Sequence, residues 1–369
     1  MTVLSALGLA NAASLAVALA ICEANRRGAP RVLSGAASAR TRRLVSVLVP
    51  VRDEMANLPA MLEAWRKVEH PEWELVLLDD GSTDGSLEFL RGQAGEFSRL
   101  RVLEGESLPQ GWKGKNWACH QLASQAGGEL LLFVDADVLP GPRALSGTVD
   151  LLETEGAGLV SGFGRQESAS PLVGALVSLV VDLPLRSLLP LRLAADRPEP
   201  SLVAAVGQWM MFTREAYLAL GGHQAVAGVV SEDLALARRA KRQGIKVVAA
   251  LADTALSVRM YRDPVGAWSG FVKNFADLGG GGPAGWIVSM GFVAWFYLLP
   301  PILLVSGCVT ISVIPAMLLA ILLVRCSGRW SQGLRNLAWF PLVAPFLVGI
   351  GLRSALNSLW PVAWKGRIL

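Results

Sequence analysis

The stretch LLLFVDADVLP, residues 130–140, decides the fold. Leu130 to Val134 read as a strand buried on both faces, and the run ends in two carboxylates, Asp135 and Asp137, separated by one small residue. Unpaired carboxylates at the end of a buried strand are costly, so the pattern asks for a cation. Two hard oxygen donors suit Mn2+ or Mg2+ and leave positions on the ion for diphosphate oxygens. Two further acidic clusters lie on either side. LVLLDDGSTDGS, residues 75–86, is another apolar strand that ends in Asp79 and Asp80 before a Gly-Ser turn; VVSEDLALARRAKRQG, residues 229–244, opens a helix on Glu232 and Asp233. All three can gather at one edge of a sheet.

Between residues 43 and 282 the alternation is of the βαβ kind. VSVLVPVRDE, residues 45–54, is a strand feeding a helix near residues 56–67, followed by strands at 73–80 and 99–105, a helix near 115–126 and strands in ELLLFVDAD and GLVSGFG. This is a doubly wound α/β pattern with a mostly parallel sheet flanked by helices. Ligands in such sheets bind beyond the carboxyl ends of the strands, where Pro50, Asp79, Asp80, Asp135 and Asp137 fall. Asp79 and Asp80 can accept hydrogen bonds from a base or from ribose hydroxyls, and are equally readable as acids capping a surface turn. In GWKGKNW, residues 111–117, a glycine loop precedes a helix whose first turn holds Lys115 and Asn116, and ammonium groups with free amides suit an anion; Lys113 lies beside them. Ser231 is placed to cap the helix of Glu232 and Asp233, where the backbone dipole favours the ionised carboxylate that a general base needs.

Composition places the chain at a membrane. Its 369 residues are 52% hydrophobic and only 17% charged, with a mean hydropathy of +0.43. Val3 to Ile21 is an uncharged run about one bilayer long, read as a retained anchor over residues 1–25; further spans are expected near residues 286–306, 308–324 and 337–352, within a carboxyl-terminal region of 284–369. Arg26, Arg27, Arg31, Arg40, Arg42 and Arg43 follow the first span, and Arg325, Arg329 and Arg335 lie between the last two, so the positive-inside rule predicts a multi-pass protein of the cell membrane with the 43–278 domain in the cytoplasm. Lys365 and Arg367 conflict with four full crossings, and Pro341, Pro345 and Pro361 would permit a re-entrant last segment. Gly279 to Gly282 reads as a hinge. The scattered cysteines Cys22, Cys119, Cys308 and Cys326 support neither a disulfide framework nor a structural zinc site, and no nucleic-acid partner is expected.

Other residues carry two readings each. His223 in Gly-Gly-His reads as a turn or core histidine or as an acceptor-side group. Arg259 and Tyr261 could pair with a phosphate or an acceptor headgroup, or Arg259 could simply be interfacial. Trp112 and Trp117 read as packing residues rather than base-stacking ones. PLVGALVSLVVDLPLRSLLPLRL, residues 171–193, is apolar but interrupted by Asp182, Arg186, Arg192 and prolines, and is expected either to lie in the interface as an entry for a greasy acceptor or to be a buried helix.

In their order and spacing, VSVLVPVRDE, DDGSTD, the DAD after LLLFV and the SED before a basic helix resemble family 2 inverting glycosyltransferases of GT-A fold, over about residues 43–275. LPQGWKGKNWACHQL, VGQWMMFTREAYLALGGHQAV, VVSEDLALARRAKRQG and RMYRDPVGAWSGFVKN are similar, more narrowly, to membrane-bound bacterial members that glycosylate carotenoids, the diaponeurosporenoate and carotenoid 2′-O-glycosyltransferases. The resemblance implies a nucleoside-diphosphate sugar, taken as a UDP-sugar, with Asp80 and Asp79 on the nucleotide, Lys115 and Lys113 on the diphosphate, Asp137 and Asp135 on the metal and Asp233 as base. It adds Gln208, with His223, Arg259 and Tyr261, to the acceptor or phosphate side. The Gln-x-x-Arg-Trp segment of processive polysaccharide synthases is missing: the matching region reads Arg259-Met260-Tyr261-Arg262, and the next tryptophan is Trp268. A single transfer to a polyprenoid membrane lipid is therefore expected, with a hopanoid, glycerolipid, sphingolipid or polyprenyl phosphate as alternatives, and a non-catalytic scaffold as the reading of another class. A transporter is disfavoured by the scarcity of ionisable residues in the spans.

Overall fold

In a computed structural model the described residues are 3–33, 43–168, 170–278, 282–305, 309–327, 330–356, 363–364 and 367–368. The expectations placed on Arg40, Arg42, Gly279 to Gly281, Cys308, Arg329, Pro361 and Lys365 lie outside them. The chain forms two compact units: Ala29–Arg165 with Leu191–Arg259, and Met1–Gly28 with Gln166–Pro190 and Met260–Leu369. Segments 166–190 and 260–278, inside the domain expected from the sequence, thus group with the apolar helices.

The first unit is an eight-stranded sheet in the order β3-β2-β1-β4-β7-β6-β8-β5. Its strands are β1 (Val45–Val51), β2 (Trp73–Asp79), β3 (Leu100–Glu104), β4 (Leu130–Val134), β5 (Val138–Pro140), β6 (Leu159–Gln166), β7 (Trp209–Thr213) and β8 (Val247–Val258). One half, β3-β2-β1-β4, is parallel; β7 pairs antiparallel with both β4 and β6, and β5 pairs antiparallel with β8. The parallel half is the doubly wound pattern expected. Pleating explains why its strands read as continuous apolar runs: Val45, Val47 and Val49 face a core with Trp65, Trp73 and Trp209, whereas Leu48, Val76, Leu78 and Phe133 face a second core on the opposite side.

Helices cover both faces of this sheet: α2 (Leu58–Arg66), α3 (Ser86–Ala94), α4 (Gly114–Gln125) and α5 (Ala144–Glu155), and later α8 (Leu191–Asp196), α9 (Arg214–Ala219) and α10 (Glu232–Arg242). Each expected helix falls within a few residues of its predicted bounds.

The other unit is helical. It contains α1 (Val3–Gly28), α6 (Pro171–Val177) and α7 (Leu183–Leu188) joined by a π-helical turn over Ser178–Asp182, and then α11 (Pro264–Leu278), α12 (Gly282–Phe292), α13 (Leu299–Val305), α14 (Val309–Arg325) and α15 (Trp330–Ala355). Among the described residues four helical stretches are long and apolar enough to cross a membrane: Val3–Gly28, Pro171–Leu188, Gly282–Val305 and Gln332–Ala355. Burial favours one of the two readings of segment 171–193. Segment 171–188 is one continuous helical rod whose Leu176 and Leu183 are only 1% and 2% exposed, so these side chains belong to the helical core and not to an outer interfacial face. The span expected over 308–324 falls on α14, an apolar helix over Val309–Arg325. Pro341 and Pro345 sit inside α15 without ending it, as prolines can where neighbouring helices shield the freed carbonyls.

Polar side chains tie these helices together, as apolar surface alone cannot in lipid. Asn336 donates to the Ser178 hydroxyl at 2.7 Å and the Ser327 hydroxyl at 2.8 Å, Tyr297 donates to the Leu179 carbonyl at 2.6 Å, and Asn11 donates to the Trp295 carbonyl at 2.7 Å.

Candidate active site

The parallel strands end at one edge, and two loops there are wired to each other through side chains. Asp79 closes β2 with its Oδ2 accepting from the amides of Gly81 (3.1 Å) and Ser82 (3.0 Å). Its Oδ1 is buried and has no hydrogen-bond partner. Asp80 is 7% exposed, its amide donates to the Val51 carbonyl at 2.7 Å, and the Arg52 guanidinium donates to its backbone carbonyl. The loop after β1 is then bolted to the 80–86 turn: the Asp53 amide donates to Ser82 Oγ, the Glu54 amide to Ser86 Oγ, the Met55 amide to Asp84 Oδ2, and the Thr83 amide to Asp53 Oδ1. Asp53 adopts a left-handed conformation, φ 50°, a sterically unfavourable state that these bonds hold in place. Pro50 lies in β1, in register with Leu78.

The second cluster forms where the start of α4, the end of β4 and the start of α10 meet. Lys115 Nζ stands 2.8 Å from Asp135 Oδ1 and 3.0 Å from Glu232 Oε1. Burial works against its charge, but the two carboxylates outweigh this and hold the ammonium well above the ordinary lysine value. Asp233 accepts from the Gly207 amide through Oδ2 at 2.8 Å and from the Leu234 amide through Oδ1 at 2.7 Å. Burial, and then the charge of Glu232, push the Asp233 carboxyl up to about 6, against the opposing pull of Lys115 and the two amides.

Gly207 was not singled out by the sequence, yet a Cβ there would come within 2.7 Å of Lys115 Nζ and 3.3 Å of Glu232 Oε1. A side chain at 207 would therefore oblige the lysine ammonium to shift.

One local expectation is corrected. The Ser231 side chain makes no cap, and its backbone carbonyl instead accepts from the Ala235 amide at 3.1 Å. Asn116 has its side-chain amide engaged within the protein. It is 1% exposed and donates to the carbonyls of Val226 (2.8 Å), Ala227 (3.0 Å) and Val229 (2.9 Å), while the Lys113 amide also donates to Ala227 (2.8 Å). The loop leading into Glu232 and Asp233 is thereby stitched to the loop that carries Lys113 and Lys115.

The remaining candidates lie apart from this cluster or touch it through backbone. Gln208 is 4% exposed and its carbonyl accepts from the Asp135 amide at 3.3 Å. The exposed Arg259 donates its amide to the Asp137 carbonyl at 3.1 Å. His223 is 3% exposed, 2.8 Å from the Tyr217 hydroxyl and packed edge-on against Phe133; burial, and then Lys115, depress it to about 3 and keep the ring neutral near pH 7. Tyr261 belongs to the helical unit and packs edge-on against Phe271, with ring centroids 5.0 Å apart. Trp112, Trp117 and His120 form an aromatic cluster, with Trp112 and Trp117 centroids 5.0 Å apart.

Asp135 and Asp137 fit a divalent ion in part. Asp135 already attracts a cation, the Lys115 ammonium, but no group of three His, Cys, Asp or Glu side chains able to hold a metal exists among the described residues. The protein supplies oxygen donors for part of a coordination shell, and the rest must come from a ligand or water.

A parallel half-sheet with acidic loops at its carboxyl edge, continued by antiparallel strands, defines a GT-A fold. Residues 46–221 match the family model of Glycosyl transferase family 2, and this stretch is a family 2 glycosyltransferase domain. A mannosyltransferase from Pyrobaculum calidifontis, solved in complex with GDP-Man and Mn2+, shares the fold over 97% of this chain and 99% of its own, with a TM-score of 0.58 at 21% identity. Among sequence relatives, an undecaprenyl-phosphate 4-deoxy-4-formamido-L-arabinose transferase of Aeromonas hydrophila is 34% identical over 29% of this chain and 33% of its own. A 4,4'-diaponeurosporenoate glycosyltransferase of Staphylococcus haemolyticus is 30% identical over 27% of this chain and 25% of its own. The chain thus spans about a third or less of the length of these two curated relatives.

Asn116 donates to three carbonyls of the 226–229 loop, of which Val226 and Ala227 also accept backbone amides; Asn116→Ala should therefore cost about 1–3 kcal/mol of stability, chiefly through the Val229 carbonyl and the lost tie between the loops. A lowered melting temperature of the purified protein in detergent checks it.

Proposed function

We propose that the chain transfers one sugar, with inversion, from a nucleoside-diphosphate sugar to a hydroxyl or carboxyl of a polyprenoid membrane lipid, a carotenoid in the first instance. The observation that carries this reading is the meeting of Lys115, Asp135, Glu232 and the raised carboxyl of Asp233 at the carboxyl edge of the sheet. Asp79 Oδ1, buried and without a partner, is suited to accept from an N–H of the base, and Asp80 lies beside it; Pro50 flanks the same edge. Lys115, with Lys113 near it, supplies positive charge for the diphosphate. Asp135 and Asp137 would hold Mn2+ or Mg2+, which would stabilise the negative charge of the departing diphosphate.

Asp233 takes the proton from the acceptor hydroxyl. That oxygen then attacks the anomeric carbon from the face opposite the diphosphate, and the sugar–phosphate bond breaks with its electron pair leaving on the nucleotide. Glu232, paired to Lys115, orients the ammonium. An acceptor that arrives as a carboxylate needs no base, so it draws only on positioning.

The helical unit, with four stretches suited to a bilayer, supports a membrane-borne acceptor and a multi-pass protein, and the basic residues after the first span support a cytoplasmic catalytic domain. Gln208 and Arg259 are assigned to the acceptor side. A second reading, transfer to a polyprenyl phosphate, is favoured by the 34% identity to the undecaprenyl-phosphate enzyme. Labelled sugar offered to the detergent-purified protein with hydroxylated carotenoid, carotenoid carboxylate, undecaprenyl phosphate and soluble alcohols separates these readings. Carotenoid labelling is expected. Labelling of undecaprenyl phosphate alone would favour the second reading, and labelling of soluble alcohols alone would remove the lipid.

Activity should vanish in EDTA and return with Mn2+, and Asp137→Asn should lose most of it while the protein stays folded; full turnover in chelator would take the metal out of the mechanism.

With Asp233 titrating near 6, turnover on a hydroxyl acceptor should be fully present above that pH and fall about tenfold per unit below it, as the carboxylate becomes protonated. Asp233→Asn should cost roughly 10²- to 10⁴-fold and abolish the acidic limb. A carboxylate acceptor should suffer far less.

A further inference from the structure

Lys115 stands where a divalent cation would be expected to bind. Its ammonium bridges Asp135 (2.8 Å) and Glu232 (3.0 Å) in a niche that exists because residue 207 has no side chain. One cation here neutralises an acid from the metal-binding pair and an acid from the base-bearing helix at once. We propose that Lys115 is an internal counter-ion that competes with the divalent metal for Asp135, so that metal binds tightly only when a nucleotide diphosphate draws the lysine away. The proposal rests on the reading of Asp135 and Asp137 as metal ligands, and it deepens that reading by giving the site an order of assembly.

Metal alone must either displace the ammonium from Asp135 or share its oxygens with it, and either course sets two cations against each other at contact distance. When a diphosphate arrives, its oxygens offer the lysine a second anion and the metal the ligands that the protein lacks. Lys115 then moves from carboxylate to phosphate as the metal takes its place. Binding of the two ligands is coupled, and coupling of this kind is typically worth about 5- to 150-fold in affinity.

The test is a Mn2+ titration of the full-length protein in detergent, followed by the electron paramagnetic resonance of free Mn2+, without nucleotide and with saturating UDP. Wild type should bind Mn2+ about tenfold or more weakly without UDP than with it. Lys115→Met should tighten nucleotide-free Mn2+ binding about tenfold and weaken UDP binding, whereas Lys115→Arg, which keeps the charge, should not tighten it. Gly207→Ala gives a second route to the same displacement, because its Cβ would come within 2.7 Å of the ammonium, and it should also tighten nucleotide-free binding. Unchanged or weaker nucleotide-free binding in both Lys115→Met and Gly207→Ala, with UDP-dependent binding retained in wild type, overturns the competition alone. Absence of Mn2+ binding from every variant even with UDP overturns the metal reading and the competition together.

Discussion

Carboxylates brought together at one sheet edge repel, and the site depends on the single ammonium that makes their gathering tolerable. Two unit charges about 4 Å apart interact by about 4 kcal/mol at the effective dielectric of a protein surface. Lys115 sets that attraction against the repulsion between an acid at the end of β4 and an acid at the start of α10. The lysine reaches both because α4 begins directly after a glycine-rich loop, and because Gly207 leaves room over the strand edge. The same arrangement leaves Asp233, the neighbour of Glu232, without an ion-pair partner of its own among the described residues. Its two backbone amide donors only partly offset burial, and a carboxyl near 6 is the result. The tuning of the proposed base thus follows from burial and the charge of Glu232, which Lys115 and the two amides offset only in part.

Backbone amides do for the turn after β2 what the lysine does for the cluster of Asp135 and Glu232. The turn after β2 is held by Asp79 accepting the amides of Gly81 and Ser82, and by Ser82, Ser86 and Asp84 accepting the amides of Asp53, Glu54 and Met55 in the loop after β1. Polar groups in this edge are mostly engaged with one another before any ligand binds, which fixes the loops at little further entropic cost. Against that background the unpartnered Asp79 Oδ1 stands out as an acceptor held for something else.

The sequence shows most clearly what is periodic. Val45 to Val51, Trp73 to Asp79 and Leu130 to Val134 are buried on both faces, so their apolar runs announced a parallel sheet and located Asp79, Asp80, Asp135 and Asp137 at its carboxyl ends. The antiparallel strand β7 was not predicted, since Trp209 to Thr213 is short and follows a loop with no turn signature. Gly207 and the true role of Asn116 were also hidden, because each acts through a through-space contact with residues far along the chain, 226–229 for Asn116 and 232 for Gly207. His223 had two sequence readings, and its burial against Phe133 and Tyr217 could be seen only once the sheet was assembled.

Segment 171–188 shows the limit of hydropathy counting from the opposite direction. Asp182 and Arg186 and the proline at 184 made it look too interrupted to span, yet the residues continue as one helical rod through a π-helical turn. Both charged side chains are less than a tenth exposed, and the Arg186 carbonyl accepts from the Asn25 amide of α1 at 2.9 Å. Buried ionisable groups in an apolar bundle are costly to keep unless the helices around them supply partners. The charges that seemed to argue against a spanning helix therefore restrict which helices can surround it. A polar residue in an otherwise greasy helix is better read as a clue to its neighbours than as a mark against its being buried.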